Sequence, residues 1–361
     1  MKAYNTYIDR LIKFYKARNI KIPISVSYEI TNQCNLFCEH CYNKDKMKST
    51  KDSLLLPEKI ILLQKLKQLG TEEIIICGGE PFLDDNIFEV IRNAKMLKFR
   101  LIILTNGLLI DKSTIKFLKN TLADGDYIQL SIDEFFENDK NLQRNISTIQ
   151  NIKIKECLQG LLDMHIPIVV NITPTKLNQN YIINIVKTVS DMGVENIGFT
   201  PYVPMGGALS DEIKPDYSIL EKVEITVEEY LKKRKVNYLG GLSGHPCQKK
   251  MHITNENANK QMHYNESLRS CIAAHYNIHI NYYGEIYPCV FLEHEKFYIA
   301  NIVDSIDEIK NRINIVCGKI ISPYPEKCKL CDIISDCNGG CIGLIIDRYN
   351  DINNYDPRCV R

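Results

Sequence analysis

Between residues 24 and 200 the chain alternates short apolar runs with stretches of helical period, six times over. The runs fall at 24–30, 73–77, 100–104, 127–132, 166–170 and 196–200, and the helix-period stretches between them lie near 57–69, 84–97, 111–122, 145–164 and 178–192. Repeated strand–helix units spell a parallel sheet covered by helices rather than a sandwich. The fold expected is α/β: a partial (β/α)6 TIM-like barrel, closed off by a helix near 218–234. In such architectures chemistry collects at the carboxyl ends of the strands, where loops vary without disturbing the sheet.

The loops at those ends carry the informative residues. The first strand is followed by Cys34, Cys38 and Cys41, spaced Cys-x3-Cys-x2-Cys, with Tyr42 directly behind. Three thiolates can hold three corners of a 4Fe-4S cube, and with no fourth cysteine nearby one iron stays open to a ligand, as a catalytic zinc keeps an open position. A zinc loop is the competing reading, but zinc fingers use two paired knuckles and this is a single uneven triplet. The second strand is followed by Gly78-Gly79-Glu80-Pro81. On its own a glycine pair there is an ordinary tight turn.

Together the triplet with its trailing aromatic and the Gly-Gly-Glu-Pro run resemble the radical S-adenosylmethionine (SAM) superfamily. The resemblance implies that the open iron chelates the amino and carboxylate groups of SAM, and that an electron from the cluster splits the sulfonium to a 5'-deoxyadenosyl radical. It further implies roles for Glu80 and the backbone at Gly78 and Gly79 at the methionine ammonium, for Ser131 and Arg144 as SAM contacts, for Tyr42 near cluster and adenine, and for Asn106 in the pocket wall. An arginine fork suits the methionine carboxylate. Glu134-Phe135-Phe136 stands where relatives place a glycine after Ser-x-Asp, and a solvated helix-start charge is the competing reading of Arg144.

The carboxy-terminal third is rich in cysteine. Cys271 is followed by Gly284 and Cys289, then by Cys328-x2-Cys331-x5-Cys337-x3-Cys341 and finally Cys359. This order resembles the SPASM extension of radical SAM proteins, which holds two auxiliary 4Fe-4S clusters. By that resemblance Cys271, Cys289 and Cys341 serve one cluster and Cys328, Cys331, Cys337 and Cys359 the other. Cys247 is the candidate for the missing fourth ligand of the first set, with an open iron or Cys317 as alternatives. Alternating apolar residues about Gly284 predict a hairpin leading to Cys289. Buried inert thiols are the default reading of Cys77 and Cys157.

The domains expected are a helix over 1–23, from Tyr4, Tyr7, Ile8, Leu11, Ile12 and Tyr15 at helical spacing, a barrel over 24–235, and a SPASM domain over 236–361. Net charge is +1, with no basic stripe of the kind nucleic acid requires. No apolar run reaches the roughly 18 residues of a membrane span, and the first residues do not read as a secretory signal, so a cytoplasmic protein is expected. The function expected from the resemblance is hydrogen abstraction from a peptide or protein, leading to a cross-link or other oxidised product. Flavodoxin or ferredoxin would donate electrons, and with no winged-helix domain expected before the first strand either a separate leader-recognition protein or a substrate without a leader would be needed. Haem-pathway-like oxidation or decarboxylation of a small molecule is the alternative. Val290 stands where sulfatase-maturing relatives have aspartate, which counts against that activity.

Overall fold

The computed structural model describes residues 23–134, 143–208, 210–242, 268–269, 273, 276–320, 322–331, 333–337 and 339–359. Residues 1–22 of the helix expected over 1–23, and Cys247 and Cys271, lie outside the described residues.

Six parallel strands form in the expected order: β1 (Ser25–Thr31), β2 (Glu73–Gly78), β3 (Arg100–Thr105), β4 (Tyr127–Ser131), β5 (Ile168–Ile172) and β6 (Asn196–Phe199). Between them run α1 (Leu56–Gln68), α2 (Ile87–Met96), α3 (Lys112–Thr121), α4 (Thr148–Asp163) and α5 (Ile182–Asp191). Helix starts are marked by local chemistry. Asp111 accepts from the Thr114 N–H ahead of α3, and Ser147 and Gln150 close a reciprocal capping box ahead of α4. Residues Val26, Tyr28 and Ile30 of β1 and Ile74 and Ile76 of β2 point outward into a fully buried layer shared with Leu62, Leu66, Val90 and Ile91 of the helices. The alternate residues, including Ser27, Glu29 and Cys77, face the inside of the sheet's curve.

Helix α6 (Tyr217–Arg234) follows β6, but a further parallel strand, β7 (Asn237–Gly240), comes after it and pairs with β6. Its four residues, exposed at both ends and half-buried between, carry too little apolar pattern to be seen in the sequence. The other edge, at β1, is taken by the carboxy-terminal region. There β9 (Asn277–Ile280) runs parallel to β1, and β10 (Glu285–Tyr287) and β11 (Ala300–Asn301) extend the sheet antiparallel. The strand order β11-β10-β9-β1-β2-β3-β4-β5-β6-β7 is an unclosed sheet of ten, so the partial barrel is continued sideways rather than sealed. Gly284, at φ +93°, makes the β9–β10 turn predicted about it. A small second sheet joins β8 (Leu268–Arg269) to β12 (Ser322–Pro323). Helix α7 (Ile306–Ile320) and the short α8 (Glu326–Lys329), α9 (Ile334–Cys337) and α10 (Ile342–Tyr349) complete the region. Among the described residues no helix is long and apolar enough to cross a membrane.

Candidate active site

The carboxyl ends of β1 to β6 surround a cavity of about 400 Å3. Cys34, Cys38, Cys41, Tyr42, Gly78, Gly79, Glu80, Asn106, Ser131 and Arg144, separated by up to 110 residues in sequence, all line it. This volume lies within the about 300–1,000 Å3 of small-molecule and cofactor sites.

The cysteine loop is held from both sides by backbone. Gly79 N–H donates to Thr31 O at 2.8 Å and Glu80 N–H to Gln33 O at 2.7 Å. A Cβ on Gly79 would sit 2.0 Å from Gln33 O, and one on Gly78, at φ +128°, 2.2 Å from Thr31 O. The glycine pair is therefore required for two loops to pass, a reason internal to the protein that adds to the close ligand approach expected of it. Across the cavity Gly206, in the loop after β6, passes so near that a Cβ would meet Tyr42 O at 2.3 Å.

Glu80 is 1 % exposed and fully engaged at its base. It accepts from Thr105 Oγ1 at 2.7 Å, Asn106 N–H at 2.8 Å and Phe82 N–H at 3.2 Å, binding the β2 end to the β3 end. Burial raises its pKa, opposed by those same bonds and by Arg144. A carboxylate accepts about four hydrogen bonds, so one direction remains for a ligand. Asn106 Nδ2 reaches Asn35 Oδ1 at 2.8 Å, tying the β3 loop to the cysteine loop.

Arg144 is not a solvated helix-start charge. It is 6 % exposed, with Nε donating to Asp133 Oδ2 at 2.9 Å and Nη1 to Ser131 O at 3.0 Å. Glu134, the departure from the glycine of relatives, is what places it: Oε1 accepts the N–H groups of both Gln143 and Arg144 at 2.8 Å. The same segment docks on the cysteine loop through Glu39 N–H to Gln143 O at 2.8 Å and Asn145 Nδ2 to Phe37 O at 2.7 Å. Burial pushes the Cys38 thiol up to about 12 while the nearby Arg144 charge pulls it down. Bare thiolates are thus disfavoured here, and a bound cation or cluster would reverse that.

Two wall residues were not singled out in the sequence. His40 lines the cavity with Nε2 3.5 Å from Asp133 Oδ2, and its buried Nδ1 has no partner among the described residues. Its place between two cysteines was the only signal. Phe291, with Val290, brings the carboxy-terminal region into the wall and meets Tyr42 edge-on at 5.4 Å between ring centroids. Cys77, read as an inert core thiol, also lines the cavity and lies 3.4 Å from Ser27 Oγ. Cys157 is buried in the core on α4, as expected.

In the carboxy-terminal region Asp356, 1 % exposed, joins the two expected ligand sets. Its Oδ2 accepts from Cys341 N–H at 2.7 Å and Arg358 Nη2 at 2.8 Å, and its carbonyl accepts from Cys359 N–H at 2.9 Å. The turn at Cys328 and Cys331 is closed by Cys331 N–H to Cys328 O at 3.1 Å. Cys317 is fully buried on α7 in the apolar core.

The site residues fit a cluster better than a single ion. Sulfur ligands of one tetrahedral zinc lie about 3.8 Å apart, for Zn–S bonds of about 2.3 Å. Among the described residues no cysteines gather within 4.8 Å in groups of three, and the group that does is Glu29, His279 and Glu293. Lys46 already occupies that group, donating to Glu29 Oε1 at 3.0 Å and to Glu293.

The profile of the Radical SAM superfamily matches residues 28–189, from β1 to α5. An S-adenosylmethionine-dependent nucleotide dehydratase of Lacinutrix mariniflava is 32% identical over 162 residues, 43% of this chain, which spans only 31% of that relative. An AdoMet-dependent heme synthase of Methanosarcina barkeri is 23% identical over 356 residues, covering 94% of this chain and 96% of the relative. In fold the chain is similar to Streptococcus suis SuiB bound to S-adenosylmethionine, at TM-score 0.75 and 20% identity, over 100% of this chain and 83% of that one. SuiB has also been solved bound to precursor peptide SuiA. The cysteine triplet at the end of β1, the Gly-Gly-Glu-Pro turn at the end of β2 and the matched profile agree, and residues 28–189 form a radical SAM domain.

Proposed function

We propose that the protein cleaves SAM reductively and uses the resulting radical to remove hydrogen from a peptide or protein side chain. The observation that carries this is the cavity that brings the triplet, Glu80, Ser131 and Arg144 together with Phe291, a wall residue contributed by the carboxy-terminal region. The 4Fe-4S cluster and SAM supply the bond cleavage; placement and exclusion of water fall to the protein. Cys34, Cys38 and Cys41 would hold three irons. Arg144, with Nε and Nη1 bonded to Asp133 and Ser131, has its other terminal nitrogen available among the described residues for the methionine carboxylate. Glu80 would meet the ammonium, and the unpartnered Nδ1 of His40 offers a polar contact in the same wall.

Support for a peptide substrate comes from the SuiB fold, which this chain matches throughout its length. In the same reading Cys289 and Cys341, with Cys271, and Cys328, Cys331, Cys337 and Cys359 would carry two auxiliary clusters able to take up the electron left by an oxidation. Cys247 remains the fourth ligand proposed for the first. A flavodoxin or ferredoxin would supply the reducing electron, and a separate protein would present the leader. Anaerobic reconstitution with SAM, dithionite and peptides encoded beside the gene tests the reading: a mass loss of two hydrogens is expected, and no mass change in any peptide would remove it.

A second reading, oxidation of a porphyrin-like small molecule, is favoured by the full-length match to the heme synthase. Incubation with porphyrin propionates in place of peptide separates the two.

A further inference from the structure

A buried polar chain runs from the cavity to the seam between the barrel and the carboxy-terminal hairpin, and the chemistry above does not use it. Cys77 lines the cavity, and its Sγ lies 3.4 Å from Ser27 Oγ. Ser27 Oγ is 3.3 Å from His279 Nδ1, and His279 Nε2 is 2.8 Å from Glu293 Oε1. Ser27 and His279 are register partners across β1 and β9, so the backbone ladder fixes the middle of the chain. His279 is fully buried, whereas the side chains of Glu293 and Lys46 keep 17% and 25% of their exposure. One end therefore faces the reaction cavity and the other faces solvent.

The outer end sets the direction of the bonds. Burial works against the charge on Glu293, yet His279 and Lys46 outweigh it and hold its carboxyl below the usual range. An ionised carboxylate only accepts. Nε2 therefore carries a hydrogen, and in the tautomer whose Nδ1 is the acceptor Ser27 donates to Nδ1 and its oxygen is left to accept from the Cys77 thiol. All donors then point outward from cavity to surface.

Cys77 is also electrostatically apart from the triplet. Cys38 feels Arg144, Cys41 and Cys34, while the charged neighbours of Cys77 are Glu29, Lys46 and Glu293. If the triplet holds iron, Cys77 is the cysteine of the cavity wall that keeps an S–H bond.

We propose that Cys77 is a hydrogen donor in the reaction cavity and that Ser27, His279 and Glu293 exchange its hydrogen with solvent. The proposal rests on the radical SAM reading of the cavity. An S–H bond is weaker than an alkyl C–H bond, so a carbon-centred radical beside Cys77 takes its hydrogen atom. The S–H bond breaks, a C–H bond forms, and the unpaired electron stays on sulfur. One electron from the reductant that drives SAM cleavage makes the sulfur a thiolate, which turns the chain inward: Ser27 donates to sulfur, His279 donates from Nδ1 to Ser27, and a solvent proton taken up transiently at Glu293 reaches Nε2, so that one hydrogen passed along each bond restores the thiol.

The test is turnover in D2O with SAM and dithionite and no peptide, followed by mass spectrometry of the 5'-deoxyadenosine released. The wild-type product is expected to gain one deuterium. Cys77→Ser keeps the size and the bond to Ser27 but offers only a stronger O–H bond, and is expected to lose the label. A second readout needs no turnover: the infrared S–H band of Cys77, obtained as the wild-type minus Cys77→Ser difference, is expected to shift in D2O, more slowly in Ser27→Ala. Equal labelling of wild type and Cys77→Ser would overturn the donor role, and equal exchange in wild type and Ser27→Ala would overturn the relay. Absence of 5'-deoxyadenosine from both proteins would instead bring down the radical SAM reading, and the donor role with it.

Discussion

The two walls of the cavity are built differently. On the barrel side the polar groups bond to neighbouring loops and mostly to backbone: Glu80 to Asn106 N–H, Glu134 to the N–H groups of Gln143 and Arg144, Gly79 to Thr31. On the carboxy-terminal side Val290 and Phe291 line the cavity, and the contacts behind them are between side chains far apart in sequence, such as Lys46 with Glu293 and Ser27 with His279. A wall of backbone contacts is set by the fold itself and can position a ligand without further help. The other wall depends on charge pairing between two regions, and is the wall that pH and single substitutions should move.

The contrast can be broken from the barrel side first. Alanine at Cys34, Cys38 or Cys41 is expected to abolish 5'-deoxyadenosine formation while leaving the thermal transition in place; retained formation would remove the triplet from the cluster. Next comes Arg144→Leu. It leaves the buried Asp133 carboxylate without its cation, and loss of one partner of a buried pair costs about 3–5 kcal/mol. Chemical denaturation should show that loss, with Arg144→Lys falling between. Gly79→Ala, whose Cβ would meet Gln33 O at 2.0 Å, should cost roughly 1–3 kcal/mol as overpacking, and a neutral result would mean the two loops are not in contact.

The carboxy-terminal wall responds to pH. Glu293 is held below its ordinary value, so its contribution to stability is complete above the usual carboxylate pKa of about 4.5 and is lost as pH falls through the depressed folded value. Glu293→Gln should therefore flatten the acid limb of the stability–pH curve below about pH 4.5. A curve parallel to wild type would show that the pairing with Lys46 and His279 carries no weight. The smallest effect expected is from Phe291→Ala: its ring contact with Tyr42 is worth about 0.5–1.5 kcal/mol beyond area burial.

How much of this was legible follows the same division. The parallel strands could be read because β2, β3 and β5 carry continuous runs of Ile, Leu and Val while β1 and β4 alternate apolar with polar residues, and the cysteine and glycine motifs then fell at strand ends where loops meet. All ten residues expected around SAM came to one cavity for that reason. The buried state of Arg144 was hidden, because Glu134 looked like a departure from the motif when it is the acceptor that seats the arginine. Strand β7 was hidden by its shortness, and the Cys77–Ser27–His279–Glu293 chain by the more than 250 residues between Ser27 and its partner on β9. Periodicity and local spacing carry no trace of a pairing made only when β9 docks on β1.

Electron paramagnetic resonance of the anaerobically reduced protein, with and without SAM, bears most directly on the open iron held by Cys34, Cys38 and Cys41. Part of the cluster signal is expected to change on adding SAM in wild type, and that part is expected to be missing from Cys41→Ala. A reduced cluster signal that SAM leaves unchanged in the wild-type protein would contradict the account.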